Sequence, residues 1–218
     1  MVSKVIAING RAPPTSRAGT LALVGCALAF DFANTCSGRG GARRIEHLRS
    51  ADDVVVWARH AKILAHGRAG ALRRRLRRNP WLARQLWRRA LQLRDVVYAI
   101  GQALAAHAPL RRQAVDRLTR IHARFLACAR LTPVHGVYAW TWESTSCPVA
   151  AILGPITLSA LGVLRQTDLT RVTQCPGREC GWLFVDRTKN KGRRWCEMEV
   201  CGNRAKQRRL RQRRSRGQ

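Results

Sequence analysis

Cys175-Pro176-Gly177-Arg178-Glu179-Cys180 is followed, fifteen residues on, by Cys196-Glu197-Met198-Glu199-Val200-Cys201. Two cysteine pairs of equal spacing, joined by a spacer of that length, form the pattern of a four-thiolate zinc site. Each pair on a tight turn aims two sulfurs at one point, and two such turns complete a tetrahedron. Pro176 and Gly177 favour the first bend. Thiolates are soft donors and a closed site asks for no redox change, which favours one structural Zn2+ held by Cys175, Cys180, Cys196 and Cys201. Two disulfides are the alternative reading; a cytosolic setting argues against them, and no export signal is found. An iron–sulfur cluster is a further alternative. The remaining cysteines, 26, 36, 128 and 147, lack paired spacing, and Cys26 and Cys128 read as core residues.

Between the pairs, Trp182-Leu183-Phe184-Val185-Asp186 reads as an apolar strand and Arg187 to Gly192 as a polar turn. Arg193-Arg194-Trp195 then returns toward the second pair, giving a hairpin with a small core of Trp182, Phe184 and Trp195. About 45 residues bury too little apolar surface to fold alone. Metal binding is therefore expected to supply most of the folding free energy, on the order of 10 kcal/mol.

Beyond Cys201 the chain turns cationic. Arg204 to Arg216 hold eight basic residues and no acid, and Arg171 to Gln218 hold 15 basic residues against four acids. Ala, Gln, Lys, Arg and Leu favour a helix. Only Ala205 and Leu210 are apolar, so that helix has no core-facing stripe. Like charges four apart, such as Arg204 and Arg208, destabilise it unless an anion screens them. Arg193 and Arg194 are candidate phosphate contacts. Arg204, Lys206, Arg208, Arg209 and Arg211 are candidate nucleic-acid contacts, arginine being able to pair bidentately with guanine. Asn203 could read adenine, although a cap role suits it better. The competing reading of this tail is a solvated, disordered terminus.

Upstream, helical signals dominate residues 19–170. Ser50 with Asp53 makes a capping-box-like start. Asn79-Pro80 pairs a cap with proline at the first helical position, and leucines and valines recur from there at threes and fours until Pro109. The pattern resumes at Val115 and continues to Pro133; Val137 to Trp142 reads as a strand. Ile156 to Leu169 reads as a helix begun by Pro155. Cys36 to Arg44 is a Gly/Arg loop, and Arg73 to Arg78 an arginine-rich helix face, solvated or in contact with phosphates. Asp31 and Asn34 could line a polar ligand pocket, against a turn or cap role. The expected organisation is mainly α: a leader over 1–18, a helical domain over 19–170, a small zinc module over 171–207 and a basic tail over 208–218.

Composition bounds the function. The 218 residues carry 41 Lys+Arg against 12 Asp+Glu, a formal net charge of +29. Such a field attracts polyanions, nucleic acid before an anionic membrane surface. Leu, Ile, Val and Phe make up about 23% of the chain, just enough for a core. Leu21 to Phe30 is too short to span a bilayer, and the uncharged stretch Ser144 to Leu164 is broken by Pro148, Gly154, Pro155 and Gly162. No membrane partner is expected, and the location reads as cytoplasmic. The six histidines show no metal-ligand spacing, no phosphate-cradling glycine loop follows a strand, and no nucleophile elbow occurs. The expectation is a protein that is not an enzyme.

The stretch CPGREC…GWLFVDRTKNKGRRWCEMEVCGNRAK resembles the CGNR zinc finger family, whose name Cys201-Gly202-Asn203-Arg204 spells. Ala29-Phe30-Asp31-Phe32-Ala33-Asn34-Thr35 looks like the opening motif of the helical, ABATE-type stress-induced regulator domain that accompanies this finger; Phe30 stands where that family tends to have Leu. The resemblance implies a bacterial transcription regulator with a treble-clef-like four-cysteine finger (knuckle, β-hairpin, helix) on double-stranded DNA, nucleoid-associated. It also implies an N-terminal domain for sensing a small-molecule effector or for homodimerisation. The competing functions are an RNA-binding zinc protein and a protein-interaction module whose zinc is purely structural.

Overall fold

The computed structural model describes residues 16–42 and 44–216. Among the described residues seven α-helices and three two-stranded antiparallel ribbons succeed one another, in the mainly α arrangement the sequence leads one to expect. Most of the leader expected over 1–18 lies outside the described residues. Ser16 and Arg17 are described and bond to His47, and Ala18 is buried.

The helices begin where local chemistry starts them. Ser50 caps α2 (Ala51–His60) by accepting from the Asp53 amide at 3.2 Å, while the Asp53 carboxylate takes the Arg49 amide and the Ser50 hydroxyl. Asn79 caps the central helix α4 (Pro80–Ala105) through the Leu82 amide at 2.9 Å. Between them, α3 (His66–Arg78) carries the arginine cluster. Arg73 pairs with Asp52 and Arg75 bonds the Thr145 carbonyl, while Arg74, Arg77 and Arg78 are exposed. Helix α4 ends at Ala105, four residues before Pro109, where His107 adopts a positive φ of 51°. Helix α5 (Arg112–Leu126) stops well short of Pro133. That proline lies in β3 (Ala129–Val134), paired with β4 (Val137–Trp142). A two-stranded ribbon leaves half its amides unpaired, so a missing N–H is tolerated there.

The expected start of the next helix at Pro155 is corrected. Helix α6 runs Pro148–Gln166, with Pro148 in its first turn and Pro155 inside it. Pro155 deprives the Ala151 carbonyl of its i→i−4 partner, but the helix persists because its apolar faces are packed. Ala150 to Leu153, Ile156 and Ala160 are buried. Gly154 lets the Trp142 indole lie against the backbone, where a Cβ would collide with it. By length and composition α6 could cross a membrane, yet it is a core helix, with 61% of its most apolar window buried inside the molecule. Helix α1 (Leu28–Ala33) completes the core, with Phe32 tilted against Trp57 at 5.1 Å between ring centroids.

Beyond α6, β5 (Val172–Gln174) pairs with β6 (Leu183–Val185). The hairpin is therefore built differently from the sequence expectation: β6 pairs with the strand before the first cysteine pair, not with residues 193–195. Val172, Leu183 and Val185 belong to the same buried cluster as the helices. Helix α7 (Asn203–Arg216) ends the described chain.

Candidate zinc centre and cationic helix

The first cysteine pair sits at the tip of the β5–β6 hairpin. The Cys175 amide donates to the Trp182 carbonyl at 2.8 Å and the Cys180 amide to the Gly177 carbonyl at 2.8 Å, closing the knuckle. Gly177 lies among the sulfurs: a Cβ there would stand 3.0 Å from Cys180 Cβ and 3.4 Å from Cys201 Sγ. The second pair rides on a π turn over Met198–Gly202 that leads into α7. The Cys201 amide donates to the Glu197 carbonyl at 2.9 Å. A Cβ on Gly202 would strike Met198 and crowd Trp195, so this glycine is a packing requirement of the turn.

The four sulfurs lie within 4.8 Å of one another. Cys180 and Cys196 are 3.5 Å apart, and Cys196 and Cys201 3.6 Å. Four thiolates around one Zn2+ at about 2.3 Å stand about 3.8 Å apart, which these spacings match. They are too long for disulfide bonds, and an iron–sulfur core would need more room between the sulfurs. Four sulfurs this close cannot all be ionised without a cation among them. Thiol hydrogen bonds from Cys180 and Cys196 pull Cys175 down to about 2, while the bond with Cys175 pushes Cys180 up to about 12. Hydrogen bonding to Cys175 and Cys180 raises Cys196, and burial raises Cys201. A divalent ion resolves that conflict, and the four cysteines hold one zinc.

The linker between the pairs is organised by Asp186. Its carboxylate accepts from the Thr188 amide and hydroxyl and from the Arg193 amide, at 2.6–2.8 Å. Burial pushes this carboxyl up, but those hydrogen bonds prevail and hold it below the ordinary range. Phe184, Trp182 and Trp195 pack beside the cysteines, joined by Val24 from the helical domain.

Arg193 corrects the sequence reading. It is expected to touch phosphate, but its guanidinium points inward, 4.3 Å over the Phe184 ring. It donates to the carbonyls of Val24, Trp195 and Cys196 and approaches Cys26 Sγ at 3.2 Å. Arg193 therefore staples the helical domain to the metal knuckle. Arg194 is exposed beside the Trp195 ring.

Asp31 and Asn34 form no pocket either. Both amide groups of Asn34 are taken by the main chain of Leu183, at 2.9 Å each, so this side chain serves β6 as a neighbouring strand would. Asp31 accepts from the Gly25 amide at 2.7 Å. Burial pushes its carboxyl up to about 6, against the pull of that hydrogen bond and of Arg193. Tyr98 on α4 adds a bond to the Gly181 carbonyl at 3.0 Å. Sequence spacing carries no signal for Tyr98, because 83 residues separate the partners.

The remaining candidates lie along α7. Asn203 opens the helix and is exposed, as are Arg204, Lys206, Arg209 and Arg211; Arg208 is half-buried. Among the described residues none of these cations meets a carboxylate. The helix packs chiefly against the π turn that precedes it. The metal turn is thus its anchor.

Comparison with known proteins agrees with this division. A profile described as CGNR zinc finger matches residues 171–214. One described as putative stress-induced transcription regulator (ABATE) matches residues 27–167, well over half of the chain. No curated protein matches. The chain therefore belongs to the ABATE family, in a form that carries a CGNR zinc finger, and is a regulatory, zinc-binding protein.

Proposed function

We propose that the protein is a transcription regulator that meets duplex DNA with the outward face of α7 and catalyses no reaction. The observation that carries this reading is the helix itself. It has fourteen residues, no carboxylate and no apolar stripe, and it projects from a metal-anchored turn. A cationic helix without internal partners gains most from a polyanion. On a helix with 3.6 residues per turn, Lys206, Arg209 and Arg213 share the side turned away from the body. Arg194 extends that surface at the N-terminal end.

RNA recognition relies on exposed aromatic platforms. In the zinc module Trp182 and Trp195 are instead half-buried against the cysteines, which favours DNA as the partner of this module. The closed four-sulfur site offers no open position for a substrate. Thiolates kept for a metal suit a reducing compartment, so the proposed place of action is the cytoplasm, at the nucleoid. For homodimerisation, one available apolar surface is the β3–β4 ribbon, where Val137, Tyr138 and Trp140 are exposed.

The test is a titration of labelled duplex DNA, with single-stranded RNA in parallel, over a salt series. The zinc-loaded chain is expected to prefer duplex. Lys206→Ala with Arg209→Ala should flatten the log K against log salt slope by about 2. An unchanged slope, or a preference for RNA, contradicts the reading.

A further inference from the structure

The inward face of α7 looks at something different. Arg204, Gln207, Arg208 and Arg211 recur at helical spacing and form one wall of an open cleft of about 780 Å³. The facing wall belongs to the helical domain and the knuckle, with Arg17, Ser37, His47 and Arg178. Five arginines thus converge from two sides, against the two carboxylates of Glu179 and Glu197. None of the five pairs with a carboxylate among the described residues. Between the walls the floor mixes the apolar side chains of Ala22, Ile45, Trp182 and Val200 with the edge of the zinc site at Cys180, Cys196 and Cys201.

We propose that this cleft binds a small phosphorylated organic anion of the nucleoside polyphosphate class, its phosphates held between α7 and Arg17 and Arg178, its organic part against Ile45, Trp182 and Val200. Facing rows of like charge repel each other, and an anion between them converts that repulsion into attraction from both walls. The volume falls within the range of small-molecule sites, roughly 300–1,000 Å³. A duplex is too wide to pass behind α7 to the floor. A bare phosphodiester strand would make no use of Ile45, Trp182 and Val200. These two features select a small ligand with an organic body. Such a ligand bridges α7 to the helical domain, which otherwise touch little.

The test is isothermal titration of the zinc-loaded full chain at physiological salt, without DNA, so a failure to bind DNA has no bearing on it. The probes are ATP, adenosine and inorganic tripolyphosphate. The expected result is saturable binding of one ATP per chain, weaker tripolyphosphate binding and no adenosine binding. Arg17→Ala with Arg178→Ala should weaken ATP by about tenfold or more at unchanged zinc content. Both side chains are exposed, so the fold should tolerate the change. Three results each overturn the proposal: ATP binding that does not saturate, tripolyphosphate binding as tightly as ATP, or a double variant that binds ATP as well as the parent. The last is general polyanion attraction to a highly basic chain.

Discussion

Asn34 joins the helical domain to the finger and Asp31 holds the Gly25 segment beside it, and each does so at a measurable cost or gain. Asp31 is a half-buried carboxylate whose folded-state pKa is raised, by desolvation above all, to about 6 from an ordinary 3.8. A raised acid binds its proton more tightly when folded. Its ionisation therefore burdens the fold above pH 6, and the burden lifts as pH falls toward 4. Asp31→Asn keeps an acceptor for the Gly25 amide and removes the charge. The variant should exceed the parent in stability by about 2–3 kcal/mol at pH 8 and match it below about pH 4, measured by denaturant midpoints. A difference independent of pH would contradict this account. Asn34→Ala strands the buried amide and carbonyl of Leu183 and should cost about 2–3 kcal/mol at any pH. A similar logic applies to Arg94, whose buried guanidinium is held bidentately by Glu46 and flanked by Asp95. Burial disfavours its charge, but the Glu46 carboxylate prevails and raises its pKa. Glu46→Gln should cost on the order of 2 kcal/mol, discounted for the partial exposure of Glu46.

At the scale of elements, what is legible in the sequence divides by range. The cysteine quartet, the Ser50 cap and the Asn79-Pro80 start are local signals, and the chain obeys them. Pro155 is also a local signal, but tertiary packing of α6 overrides it. Arg193 and Asn34 are polar residues in sequence, and only contacts across 149 residues or more turn them into staples. The β5–β6 pairing escapes a reading by pattern because β5 is three residues long and precedes the first cysteine. That pairing changes what zinc loss should do. Leu183 and Val185 belong to the helical core, so the hairpin does not depend wholly on metal. Cys196→Ser should lose zinc by metal analysis and lose the helicity of α7. Amides of β5 and β6 should keep their protection in hydrogen exchange. Equal zinc in variant and parent, or full loss of protection in β6, would refute this arrangement. Gly154→Ala should destabilise by about 1–3 kcal/mol, because the new methyl meets the Trp142 indole.

At the scale of the molecule, a formal charge of +29 is distributed with a purpose that composition alone does not reveal. Arginines on the body are partly consumed by ion pairs: Arg39 with Asp95, Arg73 with Asp52, Arg94 with Glu46. Among the described residues those of α7 are not, and on the proposed reading the zinc turn sets whether they stand as a helix or trail as a chain. A disordered tail of the same charge would also attract DNA, but without dependence on the metal. The most direct measurement is therefore a duplex DNA titration over a salt series, on the zinc-loaded chain and on the same chain after chelation. The account predicts a log K against log salt slope of about −3.5 with zinc, for the four cations of the outward surface, and clearly weaker binding with a flatter slope without it. Identical affinity and slope in the two states would contradict it.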